Sequence, residues 1–121
     1  AATDFASSVY VGGQLSAVGN LSTSGSTTSA NDVSVTTAGQ GLKVKEGSNA
    51  KSGVATLVAG VATVSNTSIT AISRIQVTSQ VDGGTPGYLR VSARVVGTSF
   101  TVRSGSATDT STFAYFIVEP S

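Results

Sequence analysis

Apolar and polar residues alternate strictly along Gly87-Tyr88-Leu89-Arg90-Val91-Ser92-Ala93-Arg94-Val95. A period of two is that of a strand with one buried face. Leu89, Val91, Ala93 and Val95 are therefore expected inside, and Arg90, Ser92 and Arg94 outside. Ser73 to Thr78 repeats the pattern, with Ile75 and Val77 set against Arg74, Gln76 and Thr78. Ser99 to Arg103 does so more briefly, through Phe100 and Val102. Val54–Val58 and Val61–Val64 flank Ala59-Gly60, which reads as a tight hairpin or bend. Asp82-Gly83-Gly84-Thr85-Pro86-Gly87 is a turn, since glycine supplies positive φ and proline presets the next corner. The last run, Phe113-Ala114-Tyr115-Phe116-Ile117-Val118, is apolar on both faces and ends at Glu119-Pro120, where proline cannot extend a ladder. Such a strand is either central in a sandwich or covered by another subunit. Three aromatics fall at 113, 115 and 116, so this strand is expected to anchor the core.

The first third of the chain has a different texture. Val9-Tyr10-Val11-Gly12-Gly13 is a short strand with a glycine stop, and Val33-Ser34-Val35 and Leu42-Lys43-Val44 repeat the apolar-x-Val pattern. Leu15, Val18 and Leu21 are spaced three apart among small polar residues. So thin an apolar content cannot offset the entropy of ordering an isolated chain. Either Ser22 to Asn31 is flexible, or the region is ordered by winding against copies of itself. The organisation expected is an extended arm over residues 1–40 and a β-sandwich over residues 41–121.

Composition sharpens this picture mainly by exclusion. The chain has 121 residues and 11.9 kDa, enough for one small domain plus an arm. It contains 20 Ser, 17 Thr and 17 Val, which favours strands over helices. It lacks Cys, Met, Trp and His. Without Cys there is no disulfide framework and no thiolate nucleophile or ligand, and without His the commonest general base and metal ligand is missing. A net charge of +1 provides no strong field toward nucleic acid or an anionic membrane. No apolar run approaches the length of a bilayer-spanning helix, and the start of the chain has no hydrophobic signal segment. The sequons at Asn20 and Asn66 are what so Ser/Thr-rich a chain contains by chance.

Little in the sequence points to catalysis. No histidine is present to activate a serine. One Ser-x-x-Lys spacing occurs, Ser48-Asn49-Ala50-Lys51, without the partner motifs of that chemistry. The carboxylates Asp4, Asp32, Glu46, Asp82, Asp109 and Glu119 are scattered, with neither a calcium-loop nor a glycosidase spacing. Asp82 and Asp109 most simply serve turns through side-chain to backbone hydrogen bonds. Gly39-Gln40-Gly41 lacks the ending of a phosphate loop. No catalytic residue, metal or cofactor is therefore expected. Arg74, Arg90, Arg94 and Arg103 all lie on presumed outward faces. They serve either as solvated edge protection or as cations crossing a subunit interface to Asp82, Asp109 or Glu119.

Two stretches resemble known virion proteins. Gly19-Asn20-Leu21-Ser22-Thr23-Ser24-Gly25-Ser26-Thr27-Thr28, followed by Val33-Ser34-Val35, is similar to the repeats of bacteriophage fibre shafts. Gly41 to Ala50, Gly53 to Gly60, Asn66 to Thr70, Ser73-Arg74-Ile75, Gly97 to Phe100 and Ser106 to Ser111 resemble a β-rich module at the C-terminal ends of phage fibre, spike and capsid-decorating proteins. The resemblance implies an all-β antiparallel sandwich, jelly-roll-like, in an intertwined homotrimer. Phe113, Tyr115, Phe116, Ile117, Arg90 and Arg94 would then form its core and trimer interface. It further implies a non-enzymatic virion protein, made in the host cytoplasm. The short shaft favours a capsid decoration (cement) or head-fibre protein on the outer capsid surface. Its arm would bind the major capsid protein through Phe5, Val9, Tyr10, Val11 and Leu15, with no nucleic acid or membrane as partner. The alternative is the receptor-binding tip of a tail fibre, and a glycan-cleaving spike is disfavoured by the scattered carboxylates.

Overall fold

The β-branched runs form six strands: β1 (Ser52–Thr56), β2 (Val61–Ser65), β3 (Arg74–Val81), β4 (Leu89–Val95), β5 (Ser99–Ser104) and β6 (Thr112–Val118). The computed structural model describes residues 8–121. By internal contacts the chain divides into Ala1–Gln40 and Gly41–Ser121, and all six strands belong to the second unit.

The strands make two three-stranded antiparallel sheets, in the orders β1-β6-β3 and β2-β5-β4. The fold is thus the expected all-β antiparallel sandwich, with three strands in each layer. The chain changes sheet at the turn after β1. Ala59 and Gly60 both have positive φ, 50° and 76°, and Val58 and Val61 exchange backbone hydrogen bonds of 2.9 and 3.0 Å across them. This is the two-residue turn read from the sequence. Here it joins opposite layers, because β1 and β2 go on to pair with β6 and β5. Gly60 also lies against the Ser106 carbonyl, where a Cβ would overlap it.

The core lies between the layers. Phe113, Tyr115 and Ile117 point inward from β6, Phe100 and Val102 from β5, and Leu57, Ala62 and Ile69 complete the buried set. Phe100 and Tyr115 meet edge to face with ring centroids 5.1 Å apart. Burial pushes the Tyr115 phenol above its ordinary value, and the Glu46 carboxylate adds to the shift. β6 is the central strand of its sheet, one of the two places its two-sided apolarity allows. Phe116 stands on its outer face, half-buried, opposite Ser52 and Gln76.

Val9–Val11, read as a short strand, and the similarly patterned runs Val33–Val35 and Leu42–Val44 make no ladder within this single chain, where a lone strand has no partner for its backbone groups. One expectation needs correction: the alternation along β4 breaks. Val91 pairs with Val102 but Ala93 with Thr101, so Ser92 is an extra residue, a β-bulge. Beyond it every side chain changes face: Ala93 and Val95 turn outward, and Arg94 comes to lie opposite buried Phe100.

Candidate functional site

Of the carboxylates, Asp109 and Glu119 are committed to holding the sandwich together. Asp109 is fully buried. It accepts hydrogen bonds from the Ser104 hydroxyl, from the Gly87 N–H at 2.9 Å and from the Ser111 N–H at 2.9 Å. Its own carbonyl accepts from the Gly60 N–H at 2.9 Å. One residue thus fastens the β1–β2 turn, the 82–87 loop, the end of β5 and the start of β6. These donors, the Ser104 and Ser111 hydrogen bonds first, hold its carboxyl well below the usual carboxylate range. Asp109 thus makes the backbone hydrogen bonds expected of it, at a buried junction of four segments. An interface arginine of another copy does not reach a carboxylate buried in this way.

Glu119 forms the second knot. It accepts from the Lys51 ammonium at 2.7 Å, the Thr70 hydroxyl at 2.7 Å and the Ser73 hydroxyl. Those bonds, Lys51 first, lower its pKa to about 2. Lys51 also donates to the Ser68 carbonyl. The lysine of the Ser48–Lys51 spacing thus commits its side chain to Glu119 and the Ser68 carbonyl. Asn66 is buried and spends its amide on the Ala50 carbonyl and on Ser68. That sequon is inside the fold.

Three of the four arginines, all but Arg74, lie on β4 and β5 and sit in different surroundings. Arg94, carried to the inner side by the bulge, donates from Nη1 to the Ser73 carbonyl at 2.7 Å and so links the two layers. With Ile75, Val91, Ser92 and Ala93 it lines a cleft of about 330 Å³ along the β3–β4 side. Arg90 stays on the outer face of β4, with its guanidinium 5.7 Å from the Tyr88 ring centroid. Arg90 and Arg94 therefore do not share a face, contrary to the simple alternation. Arg103, on the outer face of β5, pairs with Arg90 across the ladder. That neighbour was missed because an unbroken ladder through the Val95–Ser99 pair would place Arg103 opposite Val91. A signal was present in the sequence. The inward residues of β4 are odd-numbered and those of β5 even-numbered, so a turn in that register requires one extra residue. The sequence does not say where it is inserted.

Phe113, Tyr115 and Ile117 are placed together in the core of the single chain, with Phe116 on the opposite face of the same strand. Of the arm residues, Val9, Tyr10, Val11 and Leu15 are exposed, Tyr10 by 92%. Phe5 lies outside the described residues. Among the described residues no group of three or more acidic side chains is placed to hold a metal ion, and no helix is long and apolar enough to cross a membrane.

Comparison with known proteins gives one match. The profile of the K1 capsule-specific polysaccharide lyase, C-terminal domain, matches residues 49–118, a span that contains all six strands. This module is related to phage tail spikes and supports a fibre- or spike-like domain. No curated protein and no solved structure matches the chain.

Proposed function

The chain belongs to the family of K1 capsule-specific polysaccharide lyase C-terminal domains, and we propose on that premise that it is a non-catalytic terminal module of a bacteriophage fibre or spike, acting as a homotrimer on the virion. The observation that carries this reading is the coincidence of the matched span with the whole sandwich. What is shared with the family is the folded end module. The chemistry of the residues agrees with a structural role. Asp109 and Glu119 are held ionised by three or more donors each, which suits a fixed knot better than an acid or base that must change protonation during a reaction. A trimer multiplies weak surface contacts through effective concentration. It also gives the exposed apolar residues of the first unit, Val9, Val11, Leu15 and Val35 among them, a partner in identical chains.

A second reading rests on those same exposed side chains. A capsid decoration or head-fibre protein would use the arm, Phe5, Val9, Tyr10, Val11 and Leu15, to grip the major capsid protein. The family's parent enzyme is named for action on a capsule polysaccharide, which favours the host-facing end of a fibre over the capsid wall. Immuno-gold electron microscopy of the intact particle separates the two, with label expected at fibre or spike ends. Label spread over the capsid, abolished by deleting residues 1–15, would replace the first reading by the second. Light scattering that returned a monomer would overturn the trimer in both, and release of oligosaccharides from host polysaccharide would overturn the non-catalytic role.

A further inference from the structure

Like charges placed directly opposite on neighbouring strands repel, and a sheet that keeps such a pair bears a cost. Arg90 and Arg103 hold that position across β4 and β5, both exposed on the outer face. Neither has a carboxylate within ion-pair distance, since the ion pair among the described residues joins Lys51 to Glu119. Edge protection explains a cation on β4. It does not explain Arg103, because β5 is the central strand of its sheet.

Beside the pair lies an aromatic ring held in place. Tyr88 is 71% exposed, and its carbonyl accepts the Gly105 N–H at 2.8 Å. The ring rests on Gly105, where a Cβ would overlap the ring edge. Glycine at 105 thus leaves room for the tyrosine ring just past the end of β5. Thr63 and Thr101, their hydroxyls 3.2 Å apart, continue the same face.

We propose that Tyr88, Arg90 and Arg103 form a binding site for a carboxylate-bearing polysaccharide, a proposal that rests on the fibre-module reading and names the ligand class of that module. The planar guanidinium forks match carboxylates in a bidentate manner, and a bound anion would relieve the repulsion between them. The Tyr88 ring, with the Arg90 guanidinium 5.7 Å from its centroid, adds exposed apolar surface for a pyranose beside that fork, and the threonine hydroxyls add hydrogen-bonding capacity. Nucleic acid is the poorer fit, because a net charge of +1 supplies little of the field that phosphate binding uses.

The test is affinity electrophoresis of the full chain in gels containing polygalacturonate, alginate or hyaluronan, with neutral dextran and double-stranded DNA as controls. At least one carboxylated polymer should retard the protein, less so at about 0.5 M salt, where the Debye length is short. Dextran should not retard it. Joint R90Q and R103Q substitution should weaken binding by roughly tenfold or more while melting no lower than the parent, because a repelling pair is removed, and Y88A should weaken binding as well. Should the double variant fail to fold, R90K with R103K keeps the charge, loses the fork and should bind more weakly than the parent. The proposal is overturned if none of the three carboxylated polymers binds, if the folded arginine variants bind like the parent, or if DNA binds as tightly. Failure here with label still on the fibre leaves the module reading standing. Binding by a protein whose label lies elsewhere removes that reading and keeps the site.

Discussion

Residues 8–40 and residues 52–118 use the same Ser-, Thr- and Val-rich vocabulary, but their apolar side chains end in opposite places. In the first stretch Val9, Tyr10, Val11, Leu15, Val18, Leu21, Val33 and Val35 are all exposed. In the second, Leu57, Ile69, Phe100, Val102, Phe113 and Ile117 are almost wholly buried. Each region contains apolar alternation. Only the second repeats it in several runs joined by short turns, so that one run can pair with another in the same chain. Non-local pairing supplies what propensity does not: a strand's backbone groups need a ladder, and its apolar face needs an opposing layer.

The largest expected break in this contrast comes from the core. Phe113→Ala should cost about 3–5 kcal/mol, because it leaves a cavity against Phe100 and Tyr115, and chemical denaturation followed by circular dichroism would read it. An unchanged midpoint would mean that β6 does not anchor the sandwich. pH is the next lever. Glu119 titrates near 2 in the fold against an ordinary 4.5, and Asp109 is lowered too. A depressed folded-state pKa gives stability that is present above the unfolded value and lost as pH falls through the folded one. Melting temperature should therefore hold above about pH 4.5 and fall towards pH 2, with E119Q flattening that dependence. A melting temperature that stays flat down to pH 2 would show that the knots do not contribute.

Smaller effects sharpen the comparison. Ala59 sits at a φ of 50° beside Gly60, a backbone that favours Gly or Asn, so Ala59→Gly should raise stability by about 0.5–1 kcal/mol. Loss of stability would mean that the Ala59 methyl makes packing contacts that outweigh the strain. The smallest effect is expected from the first unit. Leu15→Ala should change the unfolding free energy of the sandwich by less than about 0.5 kcal/mol. A larger shift would join the two regions into one cooperative unit.

Much of the sandwich was legible because burial imposes a period of two on a strand. The runs at 73–78, 87–95, 99–103 and 113–118 lie within three residues of β3, β4, β5 and β6 at either end, and the Ala59-Gly60 turn is where the sequence puts it. The two-sided apolarity of β6 left two places for it, central in the sandwich or covered by another subunit, and the structure makes it the central strand of its sheet. Periodicity failed on the arginines. It placed Arg90 and Arg94 on one face, and the structure separates them at Ser92. It gave no hint that Asp109 would be buried, and for the Arg90–Arg103 pair it showed only that one extra residue was needed, not where.

The amino-acid sequence by itself determined the secondary-structure type, the turn and most inward-facing residues, because these depend on neighbours a few positions away. The tertiary structure alone decided which strands share a sheet, where the bulge falls and which charges come together. Those are properties of chain register, and one extra residue moves every later side chain to the other face. The Arg90–Arg103 pair exists because of that single insertion, so the binding site proposed on it is a consequence of register.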